Sequence, residues 1–169
     1  EFCELDYVAW SAPTDDLSDW RYEGVIYRKD QDPYNTDFLP MYAPDVVRGR
    51  DGRYYLYYCV KFQDAIHVAV SDDPAGKYEF YGRVHYKDGR VMSDNQTYDP
   101  SVICSGEGNF LYFGFAPCMI NIPRYKDQDL QGGSVLQLED DMLTVKEGPV
   151  VILPSLKYGK GTSFDKEAH

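Results

Sequence analysis

The chain alternates between short apolar runs and polar turns, and this pattern predicts β-strands throughout. Runs rich in Val, Ile, Tyr and Phe end at turns that contain Gly, Asp or Pro. No segment carries apolar residues at a sustained 3.6-residue period, so helix is expected to be a minor component. The pattern therefore predicts an all-β chain of short antiparallel strands.

One hairpin pattern occurs twice in the sequence. YAPDVVRGRDGRYYLYY begins at Tyr42, and YDPSVICSGEGNFLYFG begins at Tyr98, at an offset of 98 − 42 = 56. Without gaps the two copies share an aromatic, a proline, a β-branched pair, an acid-Gly pair and a second aromatic, Tyr54 in one and Phe110 in the other. A β-rich segment that enters a Gly turn and leaves as an aromatic strand indicates a β-hairpin.

A second element also recurs. Val8-Ala9-x-Ser11 matches Val68-Ala69-x-Ser71, and the segment from Ser134 is a diverged third copy. Four short strands that recur every several tens of residues are typical of a β-propeller blade, so we predict a propeller of four-stranded antiparallel blades. An ordinary β-sandwich with coincidental hairpins is the alternative. The predicted units are the end of blade 1 at about 5–30, blade 2 at about 42–86, blade 3 at about 98–153, and a lead into blade 4 at about 160–169.

A propeller closes with at least four blades, and 169 residues supply fewer than three. An array that did not close would expose sheet edges and apolar blade faces. The sequence is therefore expected to be a fragment of a longer propeller, with the missing blades as its first partners.

The composition of the chain argues against some classes of binding partner and favours others. The formal net charge is -11 and the pI is near 4.6, which argues against nucleic acid and anionic membranes as partners. Sixteen tyrosines suit β-sheets and sites for neutral polar ligands. No apolar run approaches transmembrane length. No signal-peptide pattern precedes the fold, which favours a cytoplasmic protein or a chain cut from a longer one.

The four cysteines do not form a CxxC pair and only three histidines are present, so a zinc site is not expected. Cys59 and Cys104 lie in apolar strand-like contexts, where a reduced buried thiol is the expected state. The two repeated hairpins each open with an aromatic and a carboxylate, at Tyr42–Asp45 and Tyr98–Ser101. Aromatic rings and carboxylates that converge on one pocket suit sugar binding and glycosidic cleavage.

The chain resembles the family 43 glycoside hydrolases. The resemblance rests on Tyr-Ala-Pro-Asp at Tyr42–Asp45, the strand at Tyr54–Tyr58, Asp-Pro-Ser at Asp99–Ser101 and GTSFDKEAH at the end of the chain. It implies a five-bladed β-propeller that cleaves arabinose- or xylose-containing glycans with inversion, and this chain would cover about two and a half blades. No cofactor is expected, although calcium is possible in the complete propeller.

The resemblance also implies three catalytic carboxylates on different blades: a general base, a general acid, and an aspartate that orients the acid and tunes its pKa. Asp99 matches the third, and Tyr42, Asp45 and Tyr98 are the expected substrate-binding residues. An Asp that only caps a turn is the alternative for Asp99 and for Asp45. The base is expected to lie upstream of the chain. Glu167-Ala168 only superficially fits the acid motif, so the acid is expected beyond the chain and the chain alone is expected to be inactive.

Two classes of function therefore stay open. The first is an arabinofuranosidase or xylosidase, or an enzyme of the related propeller families 62, 32 or 68. The second is a propeller that binds glycans or serves as a scaffold and has lost the catalytic carboxylates. An Asp upstream and a Glu shortly downstream in the full-length protein would favour the enzyme. The sugar, its linkage and exo or endo action do not follow from the sequence.

Overall fold

A computed structural model of the chain describes residues 5–93, 97–114 and 131–165, and almost all of its regular structure is β. The all-β prediction is confirmed. Within these residues, helix is limited to a 3-10 turn at Lys29–Gln31 and to α1, at Leu156–Gly159. The strands are β1 Tyr7–Ser11, β2 Arg21–Tyr27, β3 Met41–Arg48, β4 Tyr54–Val60, β5 Ile66–Ser71, β6 Glu79–Arg83, β7 Ser101–Ser105, β8 Gly108–Phe113, β9 Gly132–Leu138 and β10 Val145–Pro154.

The strands form three antiparallel sheets that follow the chain. β1 and β2 pair as a two-stranded sheet, and β3 to β6 form a four-stranded sheet in chain order. The third sheet has the order β10-β9-β8-β7, so it is also a meander in chain order. β3 lies beside β7, which makes the first strands of the second and third sheets neighbours. In the described residues, no helix is long and apolar enough to cross a membrane.

The two predicted hairpins are equivalent, but their alignment contains a gap. Val47 pairs with Tyr55 in the second sheet, and Ile103 pairs with Phe110 in the third. The offset is therefore 56 on the first strand and 55 on the second, so the predicted match of Tyr54 with Phe110 is wrong by one residue. Because side chains alternate between sheet faces, a gap-free alignment would have placed the second strand's core residues on the wrong face.

The missing residue lies in the turn. Gly49 and Arg53 close the first turn, since the Gly49 amide donates to the Arg53 carbonyl at 2.8 Å, which leaves three residues between them. Ser105 pairs directly with Gly108, which leaves two. Gly52 lies inside its turn with a φ of 89°, as expected of a hairpin glycine. Gly108 instead opens the strand β8, so the acid-Gly pair of the second hairpin does not lie inside its turn as the pattern shared with the first hairpin predicts.

Two apolar clusters join the sheets. One lies between the first and second sheets and the other between the second and third, and the strand β4 contributes to both because its two faces are buried. Leu56 and Tyr58 point to the first cluster, and Tyr55 and Tyr57 point to the second. This face-to-face stacking of consecutive sheets is the packing of propeller blades.

The two outer faces of this stack are apolar and exposed. On the first sheet, Trp10 and Tyr22 are 57% and 55% exposed, and their ring centroids lie 5.1 Å apart. On the third sheet, Ile103 and Val150 are 53% and 59% exposed. Exposed apolar faces of this kind mark interaction surfaces, and a further blade on each side would bury them.

Candidate active site

The first strands of the second and third sheets open with the same unusual backbone. Ala43 has a φ of 47° and Asp99, at the equivalent position, has a φ of 52°. Each precedes a proline, Pro44 or Pro100. Left-handed backbone is uncommon for residues other than glycine, and it is found often at functional sites. The repeat therefore preserves the conformation of the opening as well as its sequence.

Asp45 joins the two openings. One oxygen of its half-buried carboxylate, Oδ2, accepts a hydrogen bond from the backbone amide of Val102, at 2.6 Å. Val102 lies on β7 and Asp45 on β3, so this bond links the first strands of two sheets. The sequence predicted that Asp45 contacts the substrate, which stays a prediction, and the structure shows that one of its oxygens holds the neighbouring strand.

Asp99 is different because its carboxylate accepts no hydrogen bond among the described residues. Its side chain is exposed, and partial desolvation by the surrounding protein raises the pKa of its carboxyl above the usual value. An Asp that caps a turn would accept a bond from the amide two residues on. Asp99 makes no such bond, so the turn-capping alternative finds no support in the geometry.

Six other aspartates show what turn capping looks like in this chain. Each accepts a hydrogen bond from the backbone amide two residues later, at 2.8 to 3.1 Å. At four of them the pKa is lowered: desolvation by burial raises the pKa at all four and is the largest single cause at three, but the hydrogen bonds and nearby positive charges together outweigh it. These aspartates are Asp16, Asp32, Asp51, Asp73, Asp88 and Asp141.

Cys59 lies beneath the opening that carries Asp99. It pairs with Tyr42 in the β3–β4 ladder, and its side chain is fully buried. The thiol Sγ donates to the Thr97 carbonyl at 3.2 Å. Burial raises the pKa of this thiol to about 12, although a backbone hydrogen bond with Asp99 opposes the effect. The predicted reduced and buried state of Cys59 is confirmed, and its contacts place it in the site.

The two predicted substrate-binding tyrosines, Tyr42 and Tyr98, differ in their exposure to solvent. Tyr98 is only 9% exposed and its hydroxyl donates to Asp64 Oδ1 at 3.4 Å, whereas Tyr42 is half-buried. The carbonyl of Tyr42 accepts a hydrogen bond from the Tyr7 hydroxyl at 3.2 Å. The contact of either ring with a sugar stays a prediction, and Tyr42 presents the larger surface.

The structure thus brings Asp45, Tyr98 and Asp99 to the boundary between the second and third sheets, and it places Tyr42 at the start of β3, where its carbonyl contacts Tyr7 of the first sheet. Glu167-Ala168 lies outside the described residues. Sequence reasoning missed Asp64 and the role of Cys59, since an apolar strand context predicts only that a thiol is buried. In the part of the chain that the structure describes, no three His, Cys, Asp or Glu side chains come together as a metal site.

The family model for glycosyl hydrolases family 43 matches residues 9–164, and the chain belongs to this family. A xylosidase/arabinosidase of Thermoclostridium stercorarium is 50% identical over 169 aligned residues, which are 97% of this chain and 34% of that protein. An extracellular endo-alpha-(1->5)-L-arabinanase of Thermotoga petrophila is 39% identical over 88 residues, which are 41% of this chain and 18% of that protein.

Solved structures of the family share the fold. The RS223 β-xylosidase has a TM-score of 0.63 and 23% identity, and the match covers 88% of this chain and 48% of that one. The GH43_1 enzyme from Xanthomonas citri complexed with xylotriose has a TM-score of 0.63 and 22% identity, over 88% of this chain and 46% of that one. The predicted propeller fold is confirmed, and the chain spans about a third of the first relative and under half of these structures.

Proposed function

We propose that this chain forms part of an inverting glycosidase that cleaves xylose- or arabinose-containing glycans, and that Asp99 orients its general acid and tunes the pKa of that acid. The observation that carries the proposal is the carboxylate of Asp99, which accepts no hydrogen bond among the described residues and is held at a left-handed strand opening. The sugar class is supported by the name of the relative that is 50% identical and by the xylotriose bound to a structural neighbour.

The chemistry follows from like-charge repulsion. A general acid must be protonated when it meets the glycosidic oxygen, and a carboxylate nearby raises its pKa by disfavouring the second negative charge. Asp99 is suited to this role because no described residue donates to its carboxylate, whose oxygens could then accept a hydrogen bond from a neighbouring carboxyl. The general base would then activate water on the opposite face of the sugar, which inverts the anomeric carbon.

The base and the acid are proposed to belong to further blades of the same propeller. The exposed apolar faces of the first and third sheets support this, because each would be covered by another blade. In that arrangement Asp99, Asp45 and Tyr42 would line the rim of a shared pocket. The chain by itself would contain only one of the three catalytic carboxylates and would hydrolyse no glycoside.

The full-length protein provides the test. Purified protein is assayed on aryl β-xylosides and aryl α-arabinofuranosides, and the first anomer released is identified by NMR. The proposal expects hydrolysis of at least one substrate and release of the inverted anomer. Release of the retained anomer would overturn the mechanism. Binding of xylo- or arabino-oligosaccharides without hydrolysis would instead favour a non-catalytic glycan-binding propeller.

A further inference from the structure

We propose that Asp45 and Cys59 are positioning residues that together fix the backbone of Asp99, an inference that rests on the proposed function of Asp99. Asp45 binds the Val102 amide, three residues after Asp99, at 2.6 Å. Cys59 binds the Thr97 carbonyl, two residues before Asp99, at 3.2 Å. The two bonds therefore hold the chain on both sides of the catalytic position.

The backbone of Asp99 requires such restraint. A left-handed φ of 52° at a residue other than glycine is unfavourable, and the following proline restricts that residue further. A strained conformation persists only where the surrounding structure determines it. The hydrogen bonds at Thr97 and Val102 restrain the backbone of Asp99 in this conformation, because they leave the peptides between them little freedom to relax.

Both positioning side chains come from the second sheet, on paired strands. Asp45 lies on β3 and Cys59 on β4, and each reaches across to the chain of the third sheet. A carboxylate that accepts from a backbone amide makes a stronger bond than a neutral acceptor does. The thiol keeps its proton in the working range of pH because burial raises its pKa to about 12, so it stays a donor to Thr97.

The pair is specific to this boundary and is not a feature of every blade. The repeat places Ser101 at the position of Asp45, at the offset of 56. It places Gly114 at the position of Cys59, since the Gly114 amide donates to the Tyr98 carbonyl at 2.8 Å in the third sheet just as Cys59 pairs with Tyr42 in the second. Gly114 has no side chain and cannot donate as the Cys59 thiol does, and within the described residues no hydrogen bond to the Ser101 hydroxyl is present. The pair of bonds made by Asp45 and Cys59 is therefore not repeated at the equivalent positions of the third sheet.

The test measures kcat, KM and the pH profile of the full-length protein. Asp45→Ala and Cys59→Ala are made in the wild type and in an Asp99→Asn background. Asp45→Asn and Cys59→Ser, which keep an acceptor and a donor, are the rescue variants. Asp73→Asn is the control, because Asp73 caps an exposed turn at the opposite end of the second sheet.

We expect each alanine variant to lower kcat about tenfold to a hundredfold through misplacement of Asp99, with KM within about twofold. The alkaline limb of the profile should move toward acid, and the rescue variants should recover part of kcat. In the Asp99→Asn background the same changes should lower kcat less than about threefold, because residues that act through one group are non-additive. The control variant Asp73→Asn should have the kcat, KM and pH profile of the wild type.

Two kinetic outcomes would overturn the inference. Equal losses in both backgrounds would show that Asp45 and Cys59 act independently of Asp99. A rise in KM with unchanged kcat would show that Asp45 binds the sugar directly.

A second readout does not depend on activity. Amide hydrogen exchange of the peptide that spans 97–102 should be faster in both alanine variants and unchanged in the control. If the wild type hydrolyses no glycoside, the proposed function fails while this readout still tests the positioning. Unchanged exchange in both variants would overturn it.

Discussion

The two strand openings of this chain have the same backbone and different carboxylates. Tyr42–Asp45 and Tyr98–Ser101 both carry a left-handed residue before a proline, at φ values of 47° and 52°. In the first, the left-handed residue is Ala43 and the carboxylate follows two positions later, where it binds a backbone amide. In the second, the left-handed residue is itself the carboxylate, Asp99, and no described residue donates to it.

The difference shows how a repeated fold separates structure from chemistry. The repeat supplies one geometry twice, and the position of a single carboxylate within it decides its role. One oxygen of the Asp45 carboxylate accepts a hydrogen bond from the next strand, which is a structural contact. No described residue donates to Asp99, and the second sheet holds the chain on both sides of it, as the proposed catalytic role requires.

The largest effect should come from making the second opening more like the first. Asp99→Ala copies Ala43, which already occupies this φ, so the backbone should tolerate the change. We expect kcat of the full-length protein to fall about tenfold to a thousandfold, the general scale of acid–base assistance. Steady-state kinetics on an aryl glycoside measure it. Ala43→Asp, which adds a carboxylate to the first opening, should not restore activity to Asp99→Ala.

A smaller effect should appear in stability when the structural carboxylate is removed. Asp45→Ala leaves the Val102 amide without its acceptor, and we expect a loss of about 1–3 kcal/mol in the free energy of unfolding. Urea denaturation of the full-length protein measures the loss. Ser101→Ala, at the equivalent position, should change the free energy by less than about 0.5 kcal/mol. Similar values for the two variants would remove the distinction between the openings.

Unlike Asp45→Ala, Asp99→Asn should increase the free energy of unfolding at neutral pH. Burial raises the pKa of Asp99 in the folded state above its value in the unfolded state. The contribution of Asp99 to the free energy of unfolding is therefore fully present below the unfolded pKa, where the carboxyl is neutral, and it is lost as the pH rises through the folded pKa. At neutral pH the variant should be more stable by a few tenths of a kcal/mol, a small value because the side chain is exposed to screening solvent. The gain should vanish below about pH 4. Thermal unfolding across pH measures it, and a loss at neutral pH would contradict the account.

The smallest effect concerns the turns that follow the two openings. One residue inserted between Gly106 and Glu107 would give the second hairpin a three-residue turn like that of the first. Because the strands keep their register, we expect a change below about 0.5 kcal/mol in the free energy of unfolding. Urea denaturation checks this. A loss of several kcal/mol would mean that the one-residue gap lies in the strand and not in the turn.

Much of the fold could be predicted from the sequence, because hairpin residues report local structure. The repeated Tyr-x-Pro openings, the Gly turns and the aromatic strands predicted the β-architecture and the equivalence of the hairpins. The register could not be predicted, since Tyr54 and Tyr55 are both aromatic and either aligns with Phe110. Only the hydrogen-bond ladder distinguishes the two alignments.

The site was predictable in part. The openings identified Asp45 and Asp99 as candidates, yet no pattern could show which carboxylate binds a backbone amide, because the donor belongs to another strand 57 residues away. The role of Cys59 was hidden for the same reason, since its acceptor Thr97 is 38 residues distant in sequence. Contacts between sheets leave no local signal in the sequence.

The pH–rate profile of Asp99→Asn in the full-length protein tests the central claim most directly. This variant keeps the shape of the side chain and removes the charge that is proposed to raise the pKa of the general acid. The account predicts that the acid then ionises at lower pH, so that the alkaline limb of kcat moves toward acid and kcat falls about tenfold to a thousandfold. Full activity with an unmoved profile would contradict it and leave Asp99 without a catalytic role.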